Sequence, residues 1–347
     1  MSRIERFHPG TKVSEWFSGS ISGPILTYSS GEGYFGGGYD GSSGLDSIDK
    51  LLFGVETCAA ISATLSTATQ QAGGMSNNGT AGYVGGGQTS AGHSSPVATV
   101  AKLIYSGESR SNLGSGLSVG RDEQPGGCAN SGTAGYFGGG NEDGVWSAGS
   151  TVVDKFAFPS DSRSTLDPGL SVQVRAPAAM ANSGTAGYYA GGYKYSPGMW
   201  NHIDKFAFPN DGRSALDATL SGQIWAGTGV ANSGTAGYIA SGGWSTVWDR
   251  IQFSNDSKST LWPCVVYSQQ LGGAASDNGV AAYFTGGNRY NGQGFTGNTH
   301  AGTSNHTHVK EIIKLPYATE INSVITATLS VGRNNLCNGF ANCAGSL

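Results

Sequence analysis

His306-Thr307-His308 puts two imidazoles on the same side of an extended segment, a geometry that can hold a transition metal. His300 lies just upstream, so this stretch holds three of the chain's 6 histidines. The alternative for the surrounding Asn288 to Val309 is a polar Asn/Gly/Thr-rich loop whose histidines bind nothing. A second group is aromatic. Trp146, Tyr193, Tyr195, Trp200, Trp244, Tyr290 and Phe295, with Arg289 beside them, fall in stretches of irregular length and content. Such side chains suit stacking on sugar rings or seating a protein partner, or they cap the core beneath them. A third group is the turn Ser160-Asp161-Ser162-Arg163, repeated as Asn210-Asp211-Gly212-Arg213 and Asn255-Asp256-Ser257-Lys258. An Asx-turn with a local pair between the acid and the cation two residues on accounts for it. Cys58, Cys128, Cys264, Cys337 and Cys343 form no Cys-x-x-Cys pair and read as free thiols. No catalytic set and no cofactor site are assigned.

The elements that carry these residues repeat. Ala-Asn-Ser-Gly-Thr-Ala-Gly-Tyr ends at Tyr136, Tyr188 and Tyr238, with looser copies ending at Tyr34, Tyr83 and Tyr283. Self-similarity at roughly 50 residues belongs to propeller repeats. In the copy from Ala178, strands are expected over Ala178 to Ala181, Ala186 to Ala190, Ile203 to Phe208 and Leu216 to Leu220. Asn-Ser-Gly-Thr makes the first turn and Pro209-Asn210-Asp211-Gly212 the third. No sustained 3.6-residue apolar period occurs, so almost no helix is expected. The fold class is therefore all-β, a single propeller of four-stranded blades over residues 1–347.

The third-strand phrase recurs at Ile48-Asp49-Lys50-Leu51, Val100-Ala101-Lys102-Leu103, Val153-Asp154-Lys155-Phe156, Ile203-Asp204-Lys205-Phe206, Trp248-Asp249-Arg250-Ile251 and Ile312-Ile313-Lys314-Leu315. A seventh copy stands at Ile4-Glu5-Arg6-Phe7, and Gly332-Arg333 to Asn342 aligns with Gly120-Arg121 to Asn130. Residues 20–330 thus hold six repeats, and 1–19 with 331–347 are expected to form a composite closing blade. Seven blades is the expectation, with six as the alternative. Closure by both chain ends leaves no long open edge.

The paired glycines ending each second strand, such as Gly139-Gly140 and Gly191-Gly192, each follow an aromatic at short range. With the period, they make the chain resemble kelch-type β-propellers. A regular Trp after the third strand is missing, and Gly and Ser are more abundant than that pattern requires. The phrases Ala-Gly-Tyr-Phe-Gly-Gly-Gly and Asp-Lys-Phe-Ala-Phe-Pro are similar to Gly-rich kelch-like repeat proteins of tailed phages, notably those infecting cyanobacteria. That resemblance implies a virion protein. The acidic turns are reminiscent of sialidase Asp-boxes, but Arg163, Arg213 or Lys258 replaces the Gly of that pattern. Galactose oxidase, a kelch enzyme, needs a copper set of tyrosines and histidines with no counterpart spacing here.

The chain has 58 glycines, 12% charged residues and 10% aromatics, the composition of a rigid packed repeat protein. Its net charge is −4 and no Lys/Arg cluster is present, which argues against nucleic-acid binding. The N-terminus shows no signal-peptide pattern, and no apolar run of about 18 residues suggests a membrane span. Synthesis in a host cytoplasm and release by lysis are expected, with an extracellular or cell-surface location as the alternative. In a propeller, first and third turns share one face, while second-to-third and fourth-to-first loops share the other. Here the turns are near-constant and the loops vary, so the loop face is the expected binding face. The function expected is a non-enzymatic structural or recognition protein of a phage virion, in a tail fibre or decorating a capsid. Its partners would be a host glycan or neighbouring virion proteins, in a homo- or hetero-oligomeric assembly. The alternative is a cellular carbohydrate- or protein-binding propeller or an extracellular filament subunit, with a glycan-active enzyme behind both.

Overall fold

The computed structural model describes residues 31–89, 95–142, 149–194, 198–240, 242, 247–261, 269–290, 306–336 and 339–342. They form six blades around one axis. Blade 2 pairs Gly73–Asn77, Ala81–Gly85, Val100–Ile104 and Ser109–Asn112 in chain order from axis to rim. Blade 3 pairs Gly126–Asn130, Ala134–Gly138, Val153–Ala157 and Ser162–Thr165. Blade 4 pairs Ala178–Asn182, Ala186–Ala190, Ile203–Ala207 and Gly212–Ala215. Blade 5 pairs Thr228–Asn232, Ala236–Ala240, Trp248–Gln252 and Ser257–Leu261. Blade 6 pairs Gln269–Asp277, Ala281–Tyr290, Glu311–Pro316 and Ser323–Thr328. One 3-10 turn, Tyr105–Gly107, is the sole helical element among the described residues.

Six blades, not seven, is a correction, and blade 1 shows its cause. Its second, third and outer strands are Glu32–Gly36, Ser47–Leu52 and Thr57–Thr64, but its inner strand is Phe340–Asn342 from the C-terminus. Glu32, Gly33 and Tyr34 pair with Asn342, Ala341 and Phe340. The C-terminal strand, expected to start a further blade, fills the axial place of the first repeat. Residues 1–30, including the seventh third-strand copy, lie outside the described residues.

A second correction concerns the outer strands. In blade 4 the fourth strand is Gly212–Ala215, not Leu216 to Leu220. An edge strand faces water and needs no apolar run, so Gly-Arg-Ser-Ala serves. Leu216 and Leu220 instead pack below it in the core of blades 4 and 5.

Three sets of contacts join neighbouring blades, among the described residues the first at five of the six junctions and the other two at all six. On the turn face, Asn77, Asn130, Asn182, Asn232 and Asn342 each accept a backbone N–H through Oδ1. The donors are Gly132, Gly184, Gly234, Gly279 and Gly79 of the following blade. This is why Asn precedes the recurring Ser-Gly-Thr. In the core, the second-strand tyrosine of each blade stacks on an aromatic of the next. Tyr34 meets Tyr105, Tyr83 meets Phe158, Tyr136 meets Phe208, Tyr188 meets Phe253, Tyr238 meets Tyr317 and Tyr283 meets Phe53.

The third set is a clasp. Tyr83 and Lys102 of blade 2 donate to the two carboxylate oxygens of Asp161 in blade 3, at 2.8 and 2.6 Å. Tyr136 and Lys155 hold Asp211, Tyr188 and Lys205 hold Asp256, and Tyr238 and Arg250 hold Glu320. Tyr283 and Lys314 hold Glu56, and Lys50 holds Glu108, which carries the set across the closure, while the Tyr34 hydroxyl donates to Glu32 at 2.6 Å. All six acids occupy the left-handed region, with φ from 47° to 55°. Burial, then the acid itself, pushes the Tyr83, Tyr136 and Tyr188 phenols upward, so they stay donors. The local Asp–Arg pair expected in these turns is therefore corrected. The acid reaches back to the previous blade, while Arg163 lies 3.6 Å from Asp154 of its own.

Candidate binding face

Six inner strands of small residues meet at the axis. At the level of Gly74 and Gly127 the backbones touch, so a Cβ on Gly127 would collide with the Gly74 carbonyl. Above that constriction the strands diverge toward the turn face and enclose a funnel of about 790 Å³. Ser76, Ala129, Ala181, Ala231, Ser276 and Ala341 line its wall. Among the described residues, no Asp, Glu, Lys, Arg or His lines it.

On the loop face, the chains entering blades 1 to 4 pass the glycine pair of the second strand at one recurring bridge. There Gln70 meets Gln88, Asp122 meets Asn141, Arg175 meets Tyr193 and Asn334 meets Tyr39. Trp225 precedes Ala226 as Arg175 precedes Ala176, and both alanines have positive φ, at 57° and 47°. The residue one further on, or two further on in blade 3, donates its N–H to the entry of the preceding blade: Gln71 to Asn335 O, Gln124 to Gln71 O, Ala176 to Glu123 O and Ala226 to Ala176 O. The backbone is one repeating device whose side chains differ between blades; most are buried, and Tyr39 and Tyr193 are partly exposed.

Arg175 is buried, lies 3.2 Å from Glu123 and stacks its guanidinium on Tyr193 at 4.5 Å. Tyr193 meets Trp225 edge-on, and Lys194 sits over Trp200 at 5.3 Å. Tyr193, Lys194, Trp200 and Trp225 are all partly exposed, so this sector offers aromatic faces and one cation, Lys194. Arg121 and Arg333 serve otherwise. Both are fully buried and bind Asp154 and Asp49 within blades 3 and 1.

Of the expected contact residues, Tyr193 and Trp200 are brought together here on the edge of blade 4. Trp146, Tyr195, Trp244 and Phe295 lie outside the described residues. Arg289 and Tyr290 extend the second strand of blade 6 and pair with Thr307 and His306. Of the histidines, His308 packs edge-on against Tyr39 at 6.1 Å. His300 lies outside the described residues, as does the His306 side chain. Among the described residues, no three His, Cys, Asp or Glu side chains are grouped to hold a metal. Cys58 and Cys128 are free thiols, and burial raises both to about 12, which makes them poor nucleophiles.

Sequence reading missed Asp122, Glu123, Asn141 and Trp225. The available signal was the extra residue in the entry to blade 3. Gln124 and Glu123 both carry positive φ there, where the entry to blade 4 has a single such residue, Ala176. Burial raises Asp122 to about 6 and Glu123 to about 7, against the lowering effect of Arg175. The folded chain therefore binds more protons than the unfolded chain between about pH 4 and 7. The stability these groups contribute is complete below pH 4 and is lost as pH rises through 6 and 7. Thermal unfolding from pH 4.5 to 8 should show a falling midpoint. Asp122→Asn should flatten the fall and stabilise the protein at pH 8 by on the order of 2 kcal/mol. An unchanged slope in that variant would contradict the assignment.

No protein-family model matches the chain, and no curated protein matches it. The functional reading therefore rests on the geometry of the two faces and on the repeat phrasing.

Proposed function

We propose that this chain is a non-enzymatic recognition module of a virion, set in a tail fibre or on a capsid. It would bind a host-surface glycan or a neighbouring virion protein through the loop face. One observation carries the binding assignment. The same backbone bridge recurs in blades 1 to 4 with its side chains mostly buried, and beside blade 4 it brings partly exposed aromatics together, Tyr193 against Trp225 and Trp200 under Lys194, whereas the turn face repeats one Asn-to-Gly bond from blade to blade. The Tyr193, Trp225, Lys194 and Trp200 sector suits a sugar ring, with aromatic faces for stacking and the Lys194 cation at its margin. The virion setting is supported by the resemblance of the repeat phrasing to phage kelch-like proteins.

Purified chain should bind host-envelope glycans saturably on an array. Trp200→Ala with Trp225→Ala should weaken that binding at least tenfold, with thermal unfolding little changed. Undiminished glycan binding by the variant would remove this sector from the site. No binding by either folded protein would replace the glycan reading with docking to a virion neighbour.

A further inference from the structure

The six outer strands are not equivalent, and the difference points to a self-association surface. Two residues after the clasp acid, four blades place a cation on the rim: Arg110, Arg163, Arg213 and Lys258. These pair across the sheet with Leu103, Phe156, Phe206 and Ile251. Blade 1 has Cys58 there, opposite Leu51, and blade 6 has Asn322. Charged side chains on an edge strand block pairing with another sheet, and these two neighbouring blades lack them.

Two further observations fall in the same sector. The outer strand of blade 1, Thr57–Thr64, has 8 residues, against 4, 4, 4 and 5 in blades 2 to 5. The exposed large apolar side chains of the described residues also gather in these two blades and the segment that leaves blade 6. They are Val55 at 63%, Ile321 at 70%, Val324 at 49%, Val280 at 44% and Val331 at 41%. Nothing in the ring geometry requires this, since Val55, Ile321 and Val324 stand where blade 3 has Ser160, Ser162 and Thr165. Exposed apolar groups concentrated in one sector mark an interaction surface.

We propose that this rim of blades 6 and 1 joins two copies of the chain, edge to edge, through the outer strand Thr57–Thr64. Charge selects the occupant. A second copy offering any of blades 2 to 5 would set its edge cation against an apolar strand. A second copy offering blade 1 presents an uncharged strand of equal length and the same exposed valines and isoleucine. Antiparallel pairing of a strand with itself obeys a two-fold axis, the commonest closed arrangement of identical chains. This goes beyond the loop-face reading and does not depend on it, since the outer strand Thr57–Thr64, Val324 and the neighbouring turns with Val55 and Ile321 lie away from the loop face.

The test is sedimentation velocity on the full chain over a concentration series. Ala59→Lys and Val324→Lys place a charge in the proposed interface at exposed positions. Ser164→Lys places the same charge at the equivalent of Ala59 on blade 3, since Ala59 pairs with Lys50 as Ser164 pairs with Lys155. The wild type should form dimers, weakened at least about tenfold by each of the first two changes and unaffected by the third. Amide exchange over residues 57–64 should slow as the wild type concentration rises. A monomer at every concentration overturns the proposal. So does a dimer indifferent to Ala59→Lys, or one weakened equally by Ser164→Lys.

Discussion

Phe340→Ala is expected to cost about 3–5 kcal/mol of stability, the range for truncating a buried aromatic. Phe340 is 3% exposed and stacks on Tyr34 at 5.6 Å and Tyr105 at 6.5 Å. It lies so close to Gly82 of blade 2 that a Cβ there would collide with its ring. The ring therefore fills the seam between blades 1 and 2 at the point where the C-terminal strand closes the propeller. That strand has only three residues, so its few backbone bonds to Glu32, Gly33 and Tyr34 depend on this anchor.

The measurement is a urea unfolding midpoint, read with amide exchange along Glu32–Gly36. If the strand is the closure, exchange in Glu32–Gly36 should accelerate more than in Ala186–Ala190 on the far side of the ring. Equal acceleration on both sides would mean that Phe340 contributes bulk packing only. Met180→Ala in blade 4 is the matched core comparison, because Met180 is 3% exposed and lies far from the closure.

Much of the architecture was legible because it is local and periodic. Ala186–Ala190 was readable from Ala-Gly-Tyr-Tyr-Ala between a turn and a glycine pair, and the structure has that strand. The blade count was harder to read. Phe340-Ala341-Asn342 looks like any first strand, and nothing in those residues says that their partner lies some 300 positions earlier at Tyr34. The acidic turns show the same difficulty. Asp211 stands two residues from Arg213, and short range favoured that pair, yet its partners are Tyr136 and Lys155 in the previous blade. A signal did exist, for each third strand carries one Lys or Arg and each following turn one acid, in all six repeats.

The loop face was less legible for a physical reason. Arg121, Arg175 and Arg333 look alike in sequence, each just ahead of an inner strand. A shift of one position separates them. Arg121 and Arg333 stand three residues after Ser118 and Ser330, where Val174 follows Ser171 and Ile224 follows Ser221. Arg175 stands one further on, which turns it from the blade interior toward Glu123 and Tyr193. Binding candidates chosen by side-chain type alone could not register that rotation.

That shift leads to the sharpest contrast the fold allows. Arg333→Val should destabilise by about 3–5 kcal/mol, because it strips a buried carboxylate of its cation. Asp49 is 0% exposed and pairs with Arg333 at 2.6 Å, and the rim position beyond it is Cys58, which supplies no charge. Arg121→Val should cost distinctly less, about half. Asp154 keeps Arg163 at 3.6 Å, together with hydrogen bonds from Ser118 and Thr165. Blade 4 already has that arrangement, with Val174 in the arginine's place and Arg213 at 3.8 Å from Asp204. Asp49→Ala should recover most of the loss in the Arg333→Val background, since blade 2 folds with Ala101 at the equivalent position. Urea midpoints of the three variants decide it. Equal costs for the two arginines, or no rescue by Asp49→Ala, would show that Arg333 acts through its hydrogen bonds to the Gly37 and Ser47 carbonyls rather than through its charge.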